Sequence, residues 1–302
     1  MSAGYANPVL VETDWLAERL EEPGLQVFEV SEDESLYAAG HIPGAISLSW
    51  TKDLRHPVIR DFIDQEAFSA LMSRYGVTPE TTVILYGDNS NWFAAYAFWL
   101  FRMLGHQNLR LLNGGRAKWE AEGRPLTTEV PTPAPSVYRP AQRTDNIRAL
   151  GTYINSRLGE ADLALVDVRS PEEYKGLRLT PPHLPNEGAQ VPGRIPGAAN
   201  IPWGENVRPD GTFKPADELR TLYESRGITP DKEIITYCRI GERASVSWFA
   251  LQELLGYPKV RNYDGSWTEW GSMVGVPVER EATPEELATG AANTGAGGCA
   301  AG

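Results

Sequence analysis

The sequence predicts an α/β fold in which two domains of one architecture follow each other, each with a mainly parallel sheet flanked by helices. Two observations lead to this prediction. The 302 residues are enough for two domains of ordinary size. The two halves also share short motifs in the same order, and each alternates β-branched runs with helix-like segments.

The repeat opens with a strand and a glycine-proline motif. Residues 25–30 and 163–168 predict equivalent strands, and Gly40-His-Ile-Pro-Gly-Ala45 in the first copy matches Gly193-Arg-Ile-Pro-Gly-Ala198 in the second. The second copy carries extra residues between these blocks, within the proline-rich stretch 175–191. We expect a long loop there.

Later anchors keep a constant spacing, and the segments between them predict βαβ units. In the first copy, residues 82–86 and 109–112 predict strands on either side of a helix over residues 92–104. In the second, apolar residues from Val246 to Leu254 predict a helix that stops at Gly256. The matched anchors are Gly76-Val-Thr-Pro79 with Gly227-Ile-Thr-Pro230, Leu104-Gly105 with Leu255-Gly256, and Trp119 with Trp270.

These patterns divide the chain into four parts. Residues 1–123 form the first predicted domain, residues 124–146 a proline-rich linker, residues 147–280 the second domain, and residues 281–302 a flexible tail of small residues. Two joined domains of one fold tend to share a buried face, and a cleft at that face is a usual place for a small-molecule site.

Composition excludes several classes of function. Lys and Arg number 28 against 40 Asp and Glu, and the net charge of −12 argues against a nucleic-acid partner. The sequence has no membrane-length apolar run, and residues 1–20 do not have the pattern expected of a signal peptide, so we expect a cytoplasmic monomer without a membrane partner. Cys238 and Cys299 are the two cysteines, which excludes a disulfide framework. The four histidines lack metal-binding spacing, so we expect no metal.

Cys238 is the candidate nucleophile. A β-branched run ends at Cys238, and a polar loop then leads into the predicted helix. Free N–H groups at a helix start favour a thiolate, and Arg239 and Arg243 outnumber Glu242 in the loop. Gly241 supplies the positive φ that lets N–H groups converge on one point. The loop therefore predicts an acidified thiol and an anionic substrate.

The repeat supplies an internal comparison for this loop. Gly87 stands opposite Cys238 in the first copy, and the two loop arginines face Asp88 and Trp92. A loop that only connected a strand to a helix could look the same in both copies. The joint presence of the thiol and the cations in the second copy therefore indicates chemistry there and an inactive first copy.

Four blocks of this sequence resemble the signature blocks of the two-domain rhodaneses, the thiosulfate and 3-mercaptopyruvate sulfurtransferases. The resemblance spans about Pro8 to Val278. It implies two tandem rhodanese-like domains, an inactive first and a catalytic second, with Cys238 carrying sulfur. The four blocks are Gly40-His-Ile-Pro-Gly-Ala45, Asn113-Gly-Gly115, Tyr237-Cys-Arg-Ile-Gly-Glu-Arg243 and Tyr263-Asp-Gly-Ser-Trp267.

The resemblance also implies a mechanism without a metal or an organic cofactor. Cys238 would take the outer sulfur of thiosulfate as a persulfide and pass it to a thiophilic acceptor, cyanide or a thiol. In this family a loop that begins Cys-Arg goes with thiosulfate, and Cys-Gly-Ser-Gly goes with 3-mercaptopyruvate, so Arg239 favours thiosulfate and leaves mercaptopyruvate as the alternative donor. The implied substrate-binding residues are Arg239, Ile240, Gly241, Glu242 and Arg243.

Several positions near the loop have more than one interpretation. Glu173 stands where many relatives carry a substrate-binding arginine, and Arg178 or Arg194 are candidates for that role. Arg243 either points into the loop or pairs with Glu242 or another carboxylate. A further prediction concerns a supporting ion pair near the strand end, formed by Asp167 and Arg169.

Two other functions fit parts of the pattern. A cysteine phosphatase needs five residues between its cysteine and its arginine, whereas four separate Cys238 from Arg243, so the loop is too small for phosphate. A non-catalytic rhodanese-like binding module predicts a missing cysteine, as in the first copy. The second copy has one, which favours the enzyme.

Overall fold

A five-stranded sheet, parallel throughout, lies at the centre of the first half of the chain. The computed structural model describes residues 4–184, 186 and 188–281. The strands are β1 (Leu10–Val11), β2 (Leu25–Glu29), β3 (Ile46–Ser47), β4 (Thr82–Tyr86) and β5 (Leu109–Leu112), in the order β1-β5-β4-β2-β3. The helices are α1 (Thr13–Ala17), α2 (Ser35–Ala39), α3 (Gln65–Arg74), α4 (Trp92–Leu104) and α5 (Gly115–Ala121).

A four-stranded parallel sheet organises the second half in the same way. Its strands are β6 (Leu163–Asp167), β7 (Ala199–Asn200), β8 (Glu233–Tyr237) and β9 (Val260–Tyr263), in the order β7-β6-β8-β9. The helices are α6 (Gly151–Ser156), α7 (Pro171–Lys175), α8 (Ala216–Glu224), α9 (Glu242–Trp248) and α10 (Ser266–Trp270), with a π-helical turn at Phe249–Leu254. Short 3₁₀ turns lie at Asn89–Asn91, Asp145–Ile147 and Trp203–Asn206.

The predicted α/β fold with two similar parallel sheets is confirmed. Strands β4 and β8 are central, and their residues are almost all buried because helices cover both faces of each sheet. This explains why the two strands read as continuous apolar and β-branched runs. The predicted helix from Val246 to Leu254 is α-helical only as far as Trp248 and closes as a π turn before Gly256, whose φ is +70°.

The two halves meet along α4 and α9. Helix α4 is apolar around its whole circumference, because one side covers its own sheet and the other faces the second half. The ring centroids of Phe98 and Phe249 lie 4.9 Å apart across this contact, and those of Trp92 and Trp203 lie 5.4 Å apart. One hydrophobic core therefore runs through both halves.

The predicted linker lies along the first half in an extended conformation. Thr127 exchanges backbone hydrogen bonds with His41, and Ser136 donates one to Ser73. The buried His41 ring bonds the carbonyls of Tyr37 and Glu129, which is a structural role. Residues 282–302 of the predicted tail, including Cys299, lie outside the described part of the chain. Within that part, no helix combines the length and the apolar character needed to cross a membrane.

Candidate active site

Cys238 follows the last residue of β8 and is separated from α9 by three loop residues. Its side chain is buried. Gly241, directly before the helix, has the predicted positive φ, at +98°. A Cβ at that position would lie 2.6 Å from the Cα of Asp264, so only glycine fits.

Two groups contact the Cys238 sulfur. The Gly241 N–H donates a hydrogen bond to Sγ over 3.2 Å, and the thiol itself donates to Oε2 of Glu242 over 3.4 Å. The Glu242 side chain is only 3% exposed, so its carboxylate meets the thiol away from bulk water. The loop therefore holds the sulfur between a backbone donor and a carboxylate acceptor.

The two loop arginines are also buried, and both face carboxylates. Arg243 makes a bidentate pair with Glu173, with Nη1 to Oε2 at 3.1 Å and Nη2 to Oε1 at 3.2 Å. Arg239 lies with Nη2 at 3.7 Å from Oε1 of Glu242. Of the interpretations left open for Arg243, the structure thus shows pairing with another carboxylate. The excess of positive charge predicted around the sulfur is balanced by Glu173, which comes from α7.

The charges around the thiol set its ionisation. Burial raises the pKa of Cys238, and the nearby Glu242 raises it further, while Arg243 and the N–H groups of Ala244 and Gly241 lower it. The net direction is upward, so the resting thiol is protonated at neutral pH. The sequence-based expectation of an acidified thiol is therefore wrong for the resting site, because it ignored burial and gave too little weight to Glu242.

The first residues of α10 hold the Cys238 loop through hydrogen bonds to its backbone. Ser266 Oγ accepts a hydrogen bond from the Cys238 N–H over 3.0 Å and donates one to the Tyr263 carbonyl over 2.6 Å. Trp267 N–H bonds the Cys238 carbonyl. Ser266 adopts a positive φ of +51°, which is unusual for serine. Our sequence reasoning missed this role, although Ser266 belongs to one of the four family-like blocks.

Asp167 and Arg169 form the ion pair that the sequence predicts. Arg169 Nη2 lies 2.6 Å from Asp167 Oδ2, and both side chains are fully buried. The same guanidinium donates to the Gly193 carbonyl and lies 4.5 Å from the centre of the Trp267 ring. The pair thus ties β6 to the loop with the glycine-proline motif and to α10, which agrees with a supporting role.

Two cavities flank the Cys238 loop at the junction of the two halves. The larger, of about 500 Å³, is lined by residues that include Trp92, Trp203, Arg178 and Arg243. The smaller, of about 340 Å³, adjoins Ile240. Of the two candidates for the missing arginine role, Arg178 therefore faces a cavity beside the loop.

Arg194 is engaged elsewhere. Its guanidinium pairs with Glu281 at 2.9 Å and Glu279 at 3.4 Å, and it lies over the Tyr174 ring at 4.3 Å. It is not part of the described lining of either cavity beside the loop. The structure thus separates the two candidates, with Arg178 at the cleft and Arg194 in a surface ion-pair cluster.

Comparison with known proteins decides the family. The profile of the Rhodanese-like domain matches residues 12–122 and again residues 152–273. The chain belongs to the rhodanese family. Each half of the repeat is thus a rhodanese domain, and together the matches cover most of the chain.

Relatives of this rhodanese are named for sulfur transfer. "Sulfur carrier protein TtuD" of Thermus thermophilus is 57% identical over 281 residues, covering 92% of this chain and 99% of its own. "Putative thiosulfate sulfurtransferase" of Mycolicibacterium smegmatis is 51% identical and covers 90% and 98%. Among solved structures, a variant of EanB with ergothioneine covalently linked to a persulfide cysteine superimposes with a TM-score of 0.77 at 27% identity, covering 91% of this chain and 70% of that one.

The first rhodanese domain has no room for a thiol at the matching position. A Cβ placed on Gly87 would lie 2.1 Å from the Val30 carbonyl oxygen, which belongs to the backbone that follows β2. The Gly87 N–H instead donates to the side chain of Asn91 over 2.9 Å. The difference between the two copies is therefore built into the backbone as well as into the side chains.

Proposed function

We propose that this rhodanese is a sulfurtransferase that moves the sulfane sulfur of thiosulfate to a thiophilic acceptor, cyanide or a thiol, through a persulfide on Cys238. The observation that carries the proposal is the position of Cys238 Sγ. Sγ accepts a hydrogen bond from the Gly241 N–H over 3.2 Å and lies beside Glu242, in a loop that contains two buried arginines. The family membership and the names of the relatives support the same chemistry.

The proposed reaction has two transfers. Cys238 Sγ attacks the outer sulfur of thiosulfate, the sulfur–sulfur bond of the donor breaks, and its electron pair leaves with sulfite. The terminal persulfide sulfur is then attacked by the acceptor, which restores the cysteine. The scheme needs no metal and no organic cofactor. Donors such as the Gly241 N–H stabilise negative charge on sulfur without reorganisation.

A sulfur-carrier role is a second candidate. The 57% identical relative is named a sulfur carrier protein, which suggests that the acceptor is a thiol on a protein partner. In that case the persulfide of Cys238 would survive in the absence of the partner, and small acceptors would discharge it slowly. Rates of persulfide loss to cyanide and to dithiothreitol separate this role from ordinary turnover.

A mass measurement tests the proposal directly. The protein is incubated with thiosulfate or with 3-mercaptopyruvate, freed of excess donor and digested, and we expect the Cys238 peptide to gain about 32 Da, the mass of one sulfur atom. Cys238→Ala should abolish the gain, while the matched variant Cys299→Ala should keep it. No gain with either donor, or an equal gain in Cys238→Ala, would overturn the proposal.

The choice of donor is tested by Arg239→Gly. We expect this change to slow loading from thiosulfate roughly 10-fold to 100-fold, because a hydrogen bond to a charged group contributes about 1.5–3 kcal/mol. Loading from mercaptopyruvate should fall less. Equal losses would remove Arg239 as the discriminator, and faster loading of the wild type from mercaptopyruvate would reverse the donor assignment.

Arg178 and Arg194 form a matched pair for the missing arginine role. Arg178→Ala should raise the thiosulfate concentration needed for half-maximal loading, because Arg178 lines the larger cavity beside the loop. Arg194→Ala should leave it unchanged, because Arg194 is held by Glu279 and Glu281. The reverse result would show that thiosulfate does not reach Cys238 through the larger cavity.

A further inference from the structure

We propose that Glu242 is the catalytic proton acceptor for Cys238, taking the thiol proton as the sulfur attacks and passing it to the departing sulfite. The inference rests on the proposed sulfur-transfer function and assigns to Glu242 a part other than substrate binding. The observations behind it are the position of the Glu242 carboxylate and the charged side chains around it.

The geometry gives the two oxygens of Glu242 different surroundings. Oε2 accepts a hydrogen bond from the Cys238 thiol over 3.4 Å. Oε1 lies 3.7 Å from Arg239 Nη2 and 4.0 Å from Arg243 Nε. Glu242 is the first residue of α9, so its backbone is fixed by the helix. One oxygen is therefore free to take a proton while the other keeps its cationic neighbours.

A carboxylate at this position is a poor ligand for the donor itself. Thiosulfate is a dianion, and a buried negative charge next to the attacking sulfur repels it. The same charge keeps the thiol protonated at rest. Moving the proton from Sγ to Oε2 deprotonates the nucleophile without adding a negative charge to the site, because the carboxylate becomes neutral as the sulfur becomes anionic.

The other charged groups around Glu242 make this internal transfer favourable. Arg239 and Arg243 are buried, Glu173 pairs with Arg243, and Glu32 from the loop after β2 also interacts with Glu242 and Arg239. Among the described residues named here, the two arginines balance the two buried glutamates while the thiol is neutral. A proton that moves from Cys238 to Glu242 leaves that balance intact, whereas a proton lost to water leaves an uncompensated buried charge.

The loading step conserves atoms, charge and electrons. The Cys238 S–H bond breaks toward Glu242, a bond forms between Sγ and the outer sulfur of thiosulfate, and the sulfur–sulfur bond of the donor breaks with its electrons on sulfite. Glu242 next gives the proton to the departing sulfite. The sum is thiol plus thiosulfate dianion to persulfide anion plus hydrogensulfite, with no external oxidant or reductant and with Glu242 regenerated.

The test is the pH profile of loading in single turnover, with thiosulfate as the donor and the mass gain of the Cys238 peptide as the readout. If Glu242 takes the proton, wild-type loading needs no proton loss to solvent and should change less than about threefold between pH 5.5 and 8. Glu242→Gln must lose the proton to solvent, so its rate should rise about tenfold per pH unit below the thiol pKa. Glu242→Asp keeps a carboxylate and should keep a flat profile at a lower rate.

A second readout needs no sulfur donor. The pH dependence of Cys238 alkylation by iodoacetamide reports the thiol pKa, which Glu242→Gln should lower because a neighbouring negative charge is removed. Glu173→Gln also removes a negative charge from the site but does not touch the sulfur, so it should lower the thiol pKa and keep the flat loading profile. Only the Glu242 variant should combine more thiolate with slower loading at low pH.

Two results would overturn the assignment. One is wild-type loading that rises tenfold per pH unit, and the other is a Glu242→Gln protein that keeps the flat profile. Glu253→Gln, a buried carboxylate paired with Arg102 away from the site, controls for loss of a buried charge and should match the wild type. If the wild type never gains sulfur, the sulfurtransferase proposal fails by itself, while alkylation still reports whether Glu242 acts on the thiol.

Discussion

Replacing Glu173 by glutamine should destabilise the protein by about 3 kcal/mol. The Glu173 side chain is fully buried, that of Arg243 is 4% exposed, and two hydrogen bonds join them. Breaking a buried ion pair by removing one partner costs about 3–5 kcal/mol, because the other charge stays buried without compensation. We choose the low end, because glutamine keeps one acceptor and because Glu242 lies 4.0 Å from Arg243.

Urea denaturation followed by tryptophan fluorescence measures this change, since the chain contains 9 tryptophans. A loss of about 3 kcal/mol corresponds to a fall in Tm of about 5 °C for 302 residues, because the unfolding entropy is about 2.1 cal/mol/K per residue. The neighbour Glu172 is the matched control, because it is partly exposed on the same helix. Glu172→Gln should cost no more than about 0.5 kcal/mol. Equal losses in the two variants would refute the inference that the buried pair holds the loop.

The same pair predicts a pH dependence. Although burial raises it, the pKa of Glu173 is lowered overall by Arg243, by Arg169 and by the Ser170 backbone. A carboxyl group whose folded pKa is depressed stabilises the fold above its unfolded pKa, near 4.3, and loses that contribution as the pH falls through the folded value. The stability difference between wild type and Glu173→Gln should therefore be full at pH 6 and shrink below about pH 4. A constant difference down to pH 3 would contradict this reasoning.

Three further predictions test other parts of the fold. Gly87→Ala should cost about 3 kcal/mol or more in urea denaturation, because its Cβ would overlap a backbone carbonyl at 2.1 Å, whereas Gly204→Ala has no atom within 4 Å and should be neutral. Ser266→Ala should cost about 1–3 kcal/mol and slow sulfur loading, because the buried Cys238 N–H loses its acceptor; unchanged loading would show that the loop keeps its shape without it. Burial lowers the pKa of His106, so the unfolded chain takes up a proton at this residue before the folded protein does, and the free energy of unfolding falls below about pH 6.5. His106→Asn should therefore flatten the fall in stability between pH 7.5 and 5.5.

Much of the fold could be predicted from the sequence because its strongest signals are local. Strands β4 and β5 occur at the predicted residues, since central parallel strands need continuous runs of apolar and β-branched side chains. Helix α4 has the predicted bounds because Gly105, whose φ is +104°, ends it. The π turn after Trp248 carried no such signal, because the apolar spacing from Val246 to Leu254 is the pattern of an ordinary α-helix.

The candidate site was predictable only in part. Cys238 and Gly241 could be found because a strand, a cysteine and a glycine before a helix are neighbours in the chain. The partner of Arg243 could not, because Glu173 lies 70 residues away and reaches the loop through the fold. The ionisation of the thiol depended on burial and on the direction of the Glu242 side chain, and neither follows from residue type.

The first domain contributes directly to the proposed active site. Trp92 from α4 packs against Trp203 in the wall of the larger cavity, and Arg60 from the first domain donates to the Gly265 carbonyl, directly before Ser266. Arg148 joins the domains as well, pairing with Asp61 at 3.0 Å and with Asp264 at 2.8 Å.

The first domain thus has no space for a thiol at the matching position, but it contributes side chains to the cleft. At the matching position Gly87 leaves no space for a thiol, while the loop around it is free to place Asn89 and Trp92 at the cleft. The first domain packs against α9 and forms part of the cavity wall, so a change in its shape alters the cleft without contacting the sulfur. Differences in donor or acceptor among rhodaneses of this architecture should accordingly map to first-domain residues at this cleft as readily as to the Cys238 loop.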